Sequence, residues 1–340
     1  GGETCSESFG VLKDPRVSAT QADLEEQFEL QIRIRDRYSE THDVVKKIRD
    51  MRGQVEEWER RAEGHSRAAD LAGAATTVKD KLSAIENVPT SFYDHIMLNG
   101  PRRDEQIENM VFTIRNIARA GIPIFGYNWM PSHVWRTTPA IIRCGALATA
   151  FDYEAAKGMP LTHDREYTEE EMWESLEGWI RLITPIAEEE GIRLGIHPCD
   201  PPVETLGGVP QLMRSFDAYK RLIEIYPSES NAIEFCQGTF SEMNEDIYEM
   251  IEYFVSRHKI LYVHFRNVSG QVPKFREEFI NTGYVDMYRA MQIYDKHDFD
   301  GFFIDDHVPH THEDTAWGHR GRAFANGYIQ AMIEAVQKGG

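Results

Sequence analysis

The sequence predicts an α/β protein: a TIM-type parallel (β/α) barrel over residues 82–340, preceded by an α-helical hairpin over residues 1–81. Three observations predict it. From about residue 82, short apolar runs alternate with helical patterns, the texture of repeated βα units. Four successive runs end in a residue type that binds metal, as strands converging on one barrel face would. Residues 18–80, by contrast, are rich in Glu, Arg, Gln, Asp and Ala and poor in strand formers.

Between residues 23 and 62 there is no proline and one glycine, Gly53, so a long helix is expected. Thr20 followed by Asp23 resembles a capping box, and Ile34, Tyr38, Val45, Ile48 and Val55 recur at spacings of 4, 7, 3 and 7. Gly64 and His65 are expected to turn the chain into a second helix over residues 67–82. A charged amphipathic hairpin of this kind reads as a solvated spacer or an oligomerisation arm, so a homo-oligomer is the expected assembly.

The candidate strands follow in order: a weak one at 82–86, then 122–127, 193–196, 232–235, 260–263 and 302–304. Each precedes a helical pattern. The clearest helix starts at Thr168, an N-cap with Glu171 at N3, continues through Met172, Leu176, Trp179, Ile180 and Ile183, and stops at Gly191. Six units are counted, whereas a closed barrel of this type has eight.

Composition narrows the function class. The 340 residues carry a formal net charge of −19, which repels phosphate backbones and argues against nucleic-acid binding. With 41% hydrophobic residues, the chain still has no run of the roughly 18 apolar residues that a membrane span requires. The first ten residues hold neither a basic nor an apolar stretch, although Gly1 is not read as the natural start. Cytoplasmic location without a membrane partner is expected. The four cysteines, Cys5, Cys144, Cys199 and Cys236, are widely spaced, which suits reduced thiols, one of them free to bind metal.

The strand ends carry the chemistry. GIRLGIH ends at His197, NAIEFC at Cys236, KILYVH at His264, and GFFIDDH brings Asp306 and His307. Each is roughly one βα unit from the next, so two imidazoles, a thiolate and a carboxylate are expected to meet on one face. Mixed N, S and O donors suit Mn(II), Fe(II), Co(II) or Zn(II) better than Mg(II) or Ca(II). Asn128, Asp200, Arg266, Asn267 and Lys274 lie around these ends as expected substrate contacts. Arg266 in particular is read as a carboxylate clamp.

From about Glu86 onward these residues resemble the mannonate dehydratase family, which shares its barrel with xylose isomerase-like enzymes. The matching motifs are ENVP (86–89), YNWMP (127–131), HPCDPP (197–202), FCQG (235–238), HFRNV (264–268), VDMYRA (285–290) and DDH (305–307). The resemblance implies Mn(II)-dependent conversion of D-mannonate, a small-molecule sugar acid, to 2-keto-3-deoxy-D-gluconate. Fe(II) or another borderline divalent ion is the alternative cofactor. The resemblance further implies metal ligands at His197, Cys236, His264 and Asp306, with His307 catalytic. Dehydration removes a proton alpha to a carboxylate, which a Lewis acid and an adjacent histidine both assist.

The sequence departs from that pattern in three places. The family's HPDDPP reads HPCDPP here, placing Cys199 where an acid stands. The loop after His307 has no tyrosine before Tyr328, so His310, His312 or Tyr127 is expected to supply the acid, with His310 taken as the second catalytic residue. The family's first two βα units have no counterpart. Residues 1–80 resemble instead the helical C-terminal region of sortilin-like, BNR-repeat proteins, which suggests a fusion; residues 8–12 are a candidate for one missing strand. A sugar isomerase or epimerase on the same barrel, and a catalytically dead fusion with an assembly role, are the rival expectations.

Overall fold

A computed structural model of the protein describes residues 82–339, together with residues 20 and 22. The chain divides into units 1–81 and 82–340, of which the second is described below. The expected hairpin and the candidate strand at 8–12 lie outside the described residues.

Six βα units form the frame. They are β1 (Ile85–Glu86) and α1 (Arg103–Arg119), β2 (Ile124–Asn128) and α2 (Glu169–Glu190), β3 (Arg193–His197) and α3 (Phe216–Ile225), β4 (Asn231–Cys236) and α4 (Ile247–Val255), β5 (Ile260–His264) and α5 (Met287–Lys296), and β6 (Phe302–Ile304) and α6 (His319–Gln337). Every neighbouring pair is parallel, and spatial order follows chain order, the winding of a barrel. Among the described residues the sheet is a six-stranded half-barrel: β1 and β6 each pair on one side only.

The expected strands were right in kind and short at their C-terminal ends. β2, β3, β4 and β5 each run on to the motif residue itself, Asn128, His197, Cys236 and His264. β2 also starts later than expected, because Gly121 at φ 75° closes α1 and Ile122 N–H still bonds to Ile117.

Local chemistry sets the helix ends. Thr168 Oγ1 accepts from Glu171 N–H at 3.2 Å while Glu171 Oε2 accepts from Thr168 N–H at 2.7 Å, a reciprocal cap that starts α2. Gly191, at φ 68°, ends it in the left-handed conformation that glycine adopts without a Cβ clash. α2 buries Leu176, Trp179, Ile180 and Ile183 against the sheet, and the Trp179 ring stands 6.3 Å from Tyr127 and 6.4 Å from Trp129.

Strand alternation separates two faces. Phe125, Tyr127, Leu194, Ile196, Ile233, Phe235 and Val263 point outward into the main core under the helices. Ala232 and Tyr262 point inward, packed against Ala84, Ile124, Phe302 and Ile304, and Leu261 joins them where a register shift between Ile260 and Tyr262 breaks the alternation. Glycine at 126 makes room on that inner face, since a Cβ there would stand 2.6 Å from Tyr262 Oη and 2.7 Å from Glu234 Oε2. The same parity turns Glu234, Cys236 and His264 inward at the end of the half-barrel where the strands finish.

Candidate active site

The strand ends bring three of the expected ligands together. One donor atom each from His197, Cys236 and His264 lies within 4.8 Å of the others, and all three residues are buried. Asp306, just past β6, joins from the side: its Oδ2 is 3.7 Å from Cys236 Sγ and 3.6 Å from His264 Nδ1. Donors bonded to one ion at about 2.0–2.3 Å stand roughly 3–4 Å apart, so the 3.7 and 3.6 Å spacings of Asp306 suit a shared ion.

The hydrogen bonds orient the rings for that purpose. His197 Nδ1 donates to the carbonyl of Pro198 at 2.7 Å, leaving Nε2 as the nitrogen that can turn to a metal. His264 Nε2 lies 3.1 Å from Glu86 Oε2 and 3.1 Å from Glu234 Oε1. Its Nδ1 is a buried ring nitrogen with no hydrogen-bond partner, facing Asp306. A buried ring nitrogen that no hydrogen bond claims is free to bind a metal once its proton is displaced, so the donor set fits a borderline divalent ion.

Electrostatics favour ionised ligands. Burial pushes the Cys236 thiol up, but the Arg266 guanidinium and the His197 and His264 rings pull it down to about 5, so it is a thiolate at neutral pH. Asp306 is likewise held well below the usual carboxylate range: burial opposes ionisation, and His307, His264 and Arg266 outweigh it. The Thr239 hydroxyl adds a hydrogen bond to Cys236 Sγ at 3.2 Å.

A second buried group of charges adjoins the first. Arg136 forks onto Asp200 at 2.7 and 2.8 Å and reaches Glu277 Oε1 at 3.2 Å. Arg266 donates to Glu242 at 3.1 Å, to both Glu277 oxygens at 2.9 Å, to Asp200 at 3.1 Å and to Thr239 at 2.8 Å, with its Nε 2.9 Å from Asp306. Burial lifts the Glu242 carboxyl, and Asp200 and Glu277 lift it further, so it is held well above the carboxylate range despite Arg266. His307 Nδ1 lies at the rim of this group, 3.3 Å from Glu277 Oε1.

Several expected substrate contacts are engaged elsewhere. Arg266 directs its guanidinium at protein carboxylates and Thr239. Asp200 is buried under two arginines. Asn267 uses its amide on the backbone of Ile280, Val285 and Val268, and so shapes the loop. Lys274 is exposed and paired with Asp152 at 2.7 Å on a small antiparallel ribbon. Asn128 stays at the end of β2 in register with His197, its Oδ1 accepting from Met130 N–H.

Among the expected acids, His310 is exposed and tied through its backbone to Leu147, and the His312 side chain is 91% exposed. Tyr127 faces outward onto Trp179 because strand alternation turns it from the inner face. Cys199 packs in the outer core beside Trp129, and burial raises its thiol to about 12.

Sequence reasoning missed Glu86, Glu234, Arg136, Glu242 and Glu277. Glu234 had a signal, since it shares the parity of Cys236 in NAIEFC. Arg136 and Glu277 had none, because long excursions between strands carry them to the site.

Comparison with known proteins agrees with the geometry. A family model described as D-mannonate dehydratase (UxuA) matches residues 70–163 and 159–340. The mannonate dehydratase of Streptococcus uberis is 32% identical over 290 residues, covering 76% of this chain and 82% of that one. The mannonate dehydratase of Streptococcus agalactiae is 31% identical over 291 residues, covering 76% and 83%. The crystal structure of mannonate dehydratase from Streptococcus suis serotype 2 is 30% identical, with a TM-score of 0.71 over 78% of each chain. A D-tagatose 3-epimerase-like protein, 12% identical with a TM-score of 0.50 over 79% of this chain and 84% of that one, shares the fold alone. The resemblance of residues 1–80 to sortilin-like proteins finds no support in these matches. Family match, sequence identity and a superposable barrel together establish that this chain belongs to the mannonate dehydratase family.

Proposed function

We propose that the protein is a divalent-metal-dependent hydro-lyase that converts D-mannonate to 2-keto-3-deoxy-D-gluconate. Family membership supports the reaction, and the convergence of His197, Cys236 and His264, with Asp306 beside them, is the observation that carries the metal dependence. In this reading those four residues hold the ion, which is Mn(II), or Fe(II) or another borderline ion. When bound, the ion acts as a Lewis acid that stabilises negative charge developing on a substrate carboxylate.

The chain's own groups move the proton. His307, with its side chain 38% exposed beside Asp306, takes the proton from C2. The C2–H electron pair passes into the carboxylate and then returns to form the C2–C3 double bond as the C3–O bond breaks. The departing hydroxide takes up a proton and leaves as water, and the resulting enol rearranges to the 2-keto acid. Cys236 must stay reduced to act as a ligand, which agrees with a cytoplasmic enzyme. All of these residues lie in unit 82–340, which we take as the catalytic domain.

The test is direct. The full chain is stripped with a chelator, reloaded with Mn(II) and incubated with D-mannonate and a panel of other sugar acids and sugars, and 2-keto acid is measured. Metal-dependent product from D-mannonate supports the reading. A metal-loaded protein that isomerises or epimerises a sugar and leaves D-mannonate unchanged overturns it.

A further inference from the structure

His307 can accept a proton only if one of its ring nitrogens is held as the lone-pair nitrogen on the substrate side, so its hydrogen bonds decide whether it can act. Nδ1 lies between Glu277 Oε1 at 3.3 Å and Arg136 Nη2 at 3.0 Å. These neighbours ask for opposite tautomers. A carboxylate calls for a hydrogen on Nδ1, and a guanidinium calls for a lone pair there.

Hydrogen counting decides between them. Arg136 Nη1 directs its two hydrogens to the Trp135 carbonyl at 3.0 Å and to Asp200 Oδ1 at 2.7 Å. Nη2 also has two hydrogens but faces three acceptors: Asp200 Oδ2 at 2.8 Å, Glu277 Oε1 at 3.2 Å and the His307 nitrogen. A guanidinium hydrogen is drawn to a carboxylate by the attraction of two full opposite charges, which a neutral ring nitrogen does not offer, so the carboxylates take both. The Nδ1 position is then left to donate to Glu277.

We infer that Glu277 is a positioning residue: its carboxylate takes the Nδ1 hydrogen of His307 and leaves Nε2 as the proton acceptor on the Asp306 side of the ring. The inference rests on the functional reading above for what His307 does. Three features suit Glu277 to the task. Its side chain is 1% exposed, and it accepts from Arg266 through both oxygens at 2.9 Å, so it cannot swing away. Its backbone is pinned, with N–H bonded to the Thr149 carbonyl and a bridge to Val268. Finally, Nε2 of His307 lies 3.7 Å from Asp306 Oδ1, next to the proposed ligands. A carboxylate orienting the far nitrogen of a general-base histidine is an arrangement that recurs on unrelated folds.

A plain ion-pair role for Glu277 would leave the tautomer of His307 unchanged, so the tautomer is the primary readout. The full chain is labelled with nitrogen-15 histidine, loaded with diamagnetic Zn(II), and compared with His307→Asn to assign the ring. Spectra are taken where the ring is neutral. The expected result is hydrogen on Nδ1 in the wild type, shifting toward Nε2 in Glu277→Gln. Turnover of D-mannonate by the Mn(II)-loaded Glu277→Gln variant should fall by roughly 100-fold to 10,000-fold in kcat, the worth of a general base, with KM and metal content little changed. Glu277→Asp, which keeps the charge, should recover part of the loss. Hydrogen on Nε2 in the wild type overturns the inference whether or not the variants fold, and so does a folded Glu277→Gln with unchanged kcat. If the wild type leaves D-mannonate untouched, the functional reading falls, and the tautomer alone decides the role of Glu277.

Discussion

His264 gives its Nε2 hydrogen to Glu86 Oε2 at 3.1 Å, joining the fifth strand of the half-barrel to the first across 178 residues of chain. The sheet must curl strongly for these strands to meet, so this bond couples barrel curvature to the orientation of a proposed metal ligand. Burial pushes the Glu86 carboxyl up, but the bond to His264 and the charges of His264 and His197 bring it below its usual value, so it accepts as a carboxylate.

Glu234 stands on the other side of the same nitrogen, fully buried, with Oε1 at 3.1 Å. Glu234→Gln keeps the volume but removes a carboxylate from beside the His264 ring, and outer carboxylates of this kind are worth about 10-fold to 100-fold in metal affinity. Equilibrium dialysis against Mn(II) should show that loss. An unchanged Kd in a folded variant would mean that Glu86 alone orients the ring.

Metal affinity should rise with pH between about 5 and about 9. Burial lowers the His197 pKa, yet Glu234 and Cys236 raise it to about 9, so below that value a metal must displace a proton from the ring. Cys236, at about 5, is already a thiolate across the window and releases none. His264 is also raised well above its usual value, since Asp306, Cys236 and Glu234 outweigh its burial. One displaced proton gives roughly tenfold in Kd per pH unit, and a second displaced proton steepens the slope. Titrations of Zn(II) binding across that range should show it; a flat profile would remove His197 and His264 from the ligand set.

Gly126→Ala should damage the site without touching a ligand. The new Cβ would meet Tyr262 Oη at 2.6 Å and Glu234 Oε2 at 2.7 Å, and must displace both. Overpacking of this kind costs about 1–3 kcal/mol, and the displaced Glu234 should also weaken metal binding. Chemical denaturation and metal titration are expected to move together. A variant less stable but with wild-type metal affinity would separate the interior packing from the site.

Thr168→Ala should destabilise the protein by about 1 kcal/mol and leave metal affinity alone, because it removes the cap of α2, whose bonds run to Glu171 and not to a proposed ligand. The other half of that cap, Glu171, is held at about 2 by bonds from Arg165 and Thr168. A depressed carboxyl stabilises the fold above its usual value of 4.5 and loses that contribution as pH falls toward 2. Urea midpoints measured from neutral to acid pH should decline through that interval, and a Glu171→Gln variant should decline less.

The sequence by itself determined which residues end the strands, because a period of two and a βα spacing are local properties of the chain. That was enough to name His197, Cys236, His264 and Asp306 and to locate the cap and stop of α2. Only the tertiary structure decided what each polar group faces. Asp200 and Arg266 look like pocket residues from their place in HPCDPP and HFRN, yet they face Arg136, Glu242 and Glu277, which arrive from other parts of the chain. Tyr127, adjacent to Asn128, lies on the opposite side of the sheet. Which ring nitrogen of His264 or His307 carries the hydrogen is likewise set by Glu86, Glu234 and Glu277, residues distant in sequence. A buried charge takes the partner that the fold brings within about 3 Å, and no periodicity in the chain records that partner.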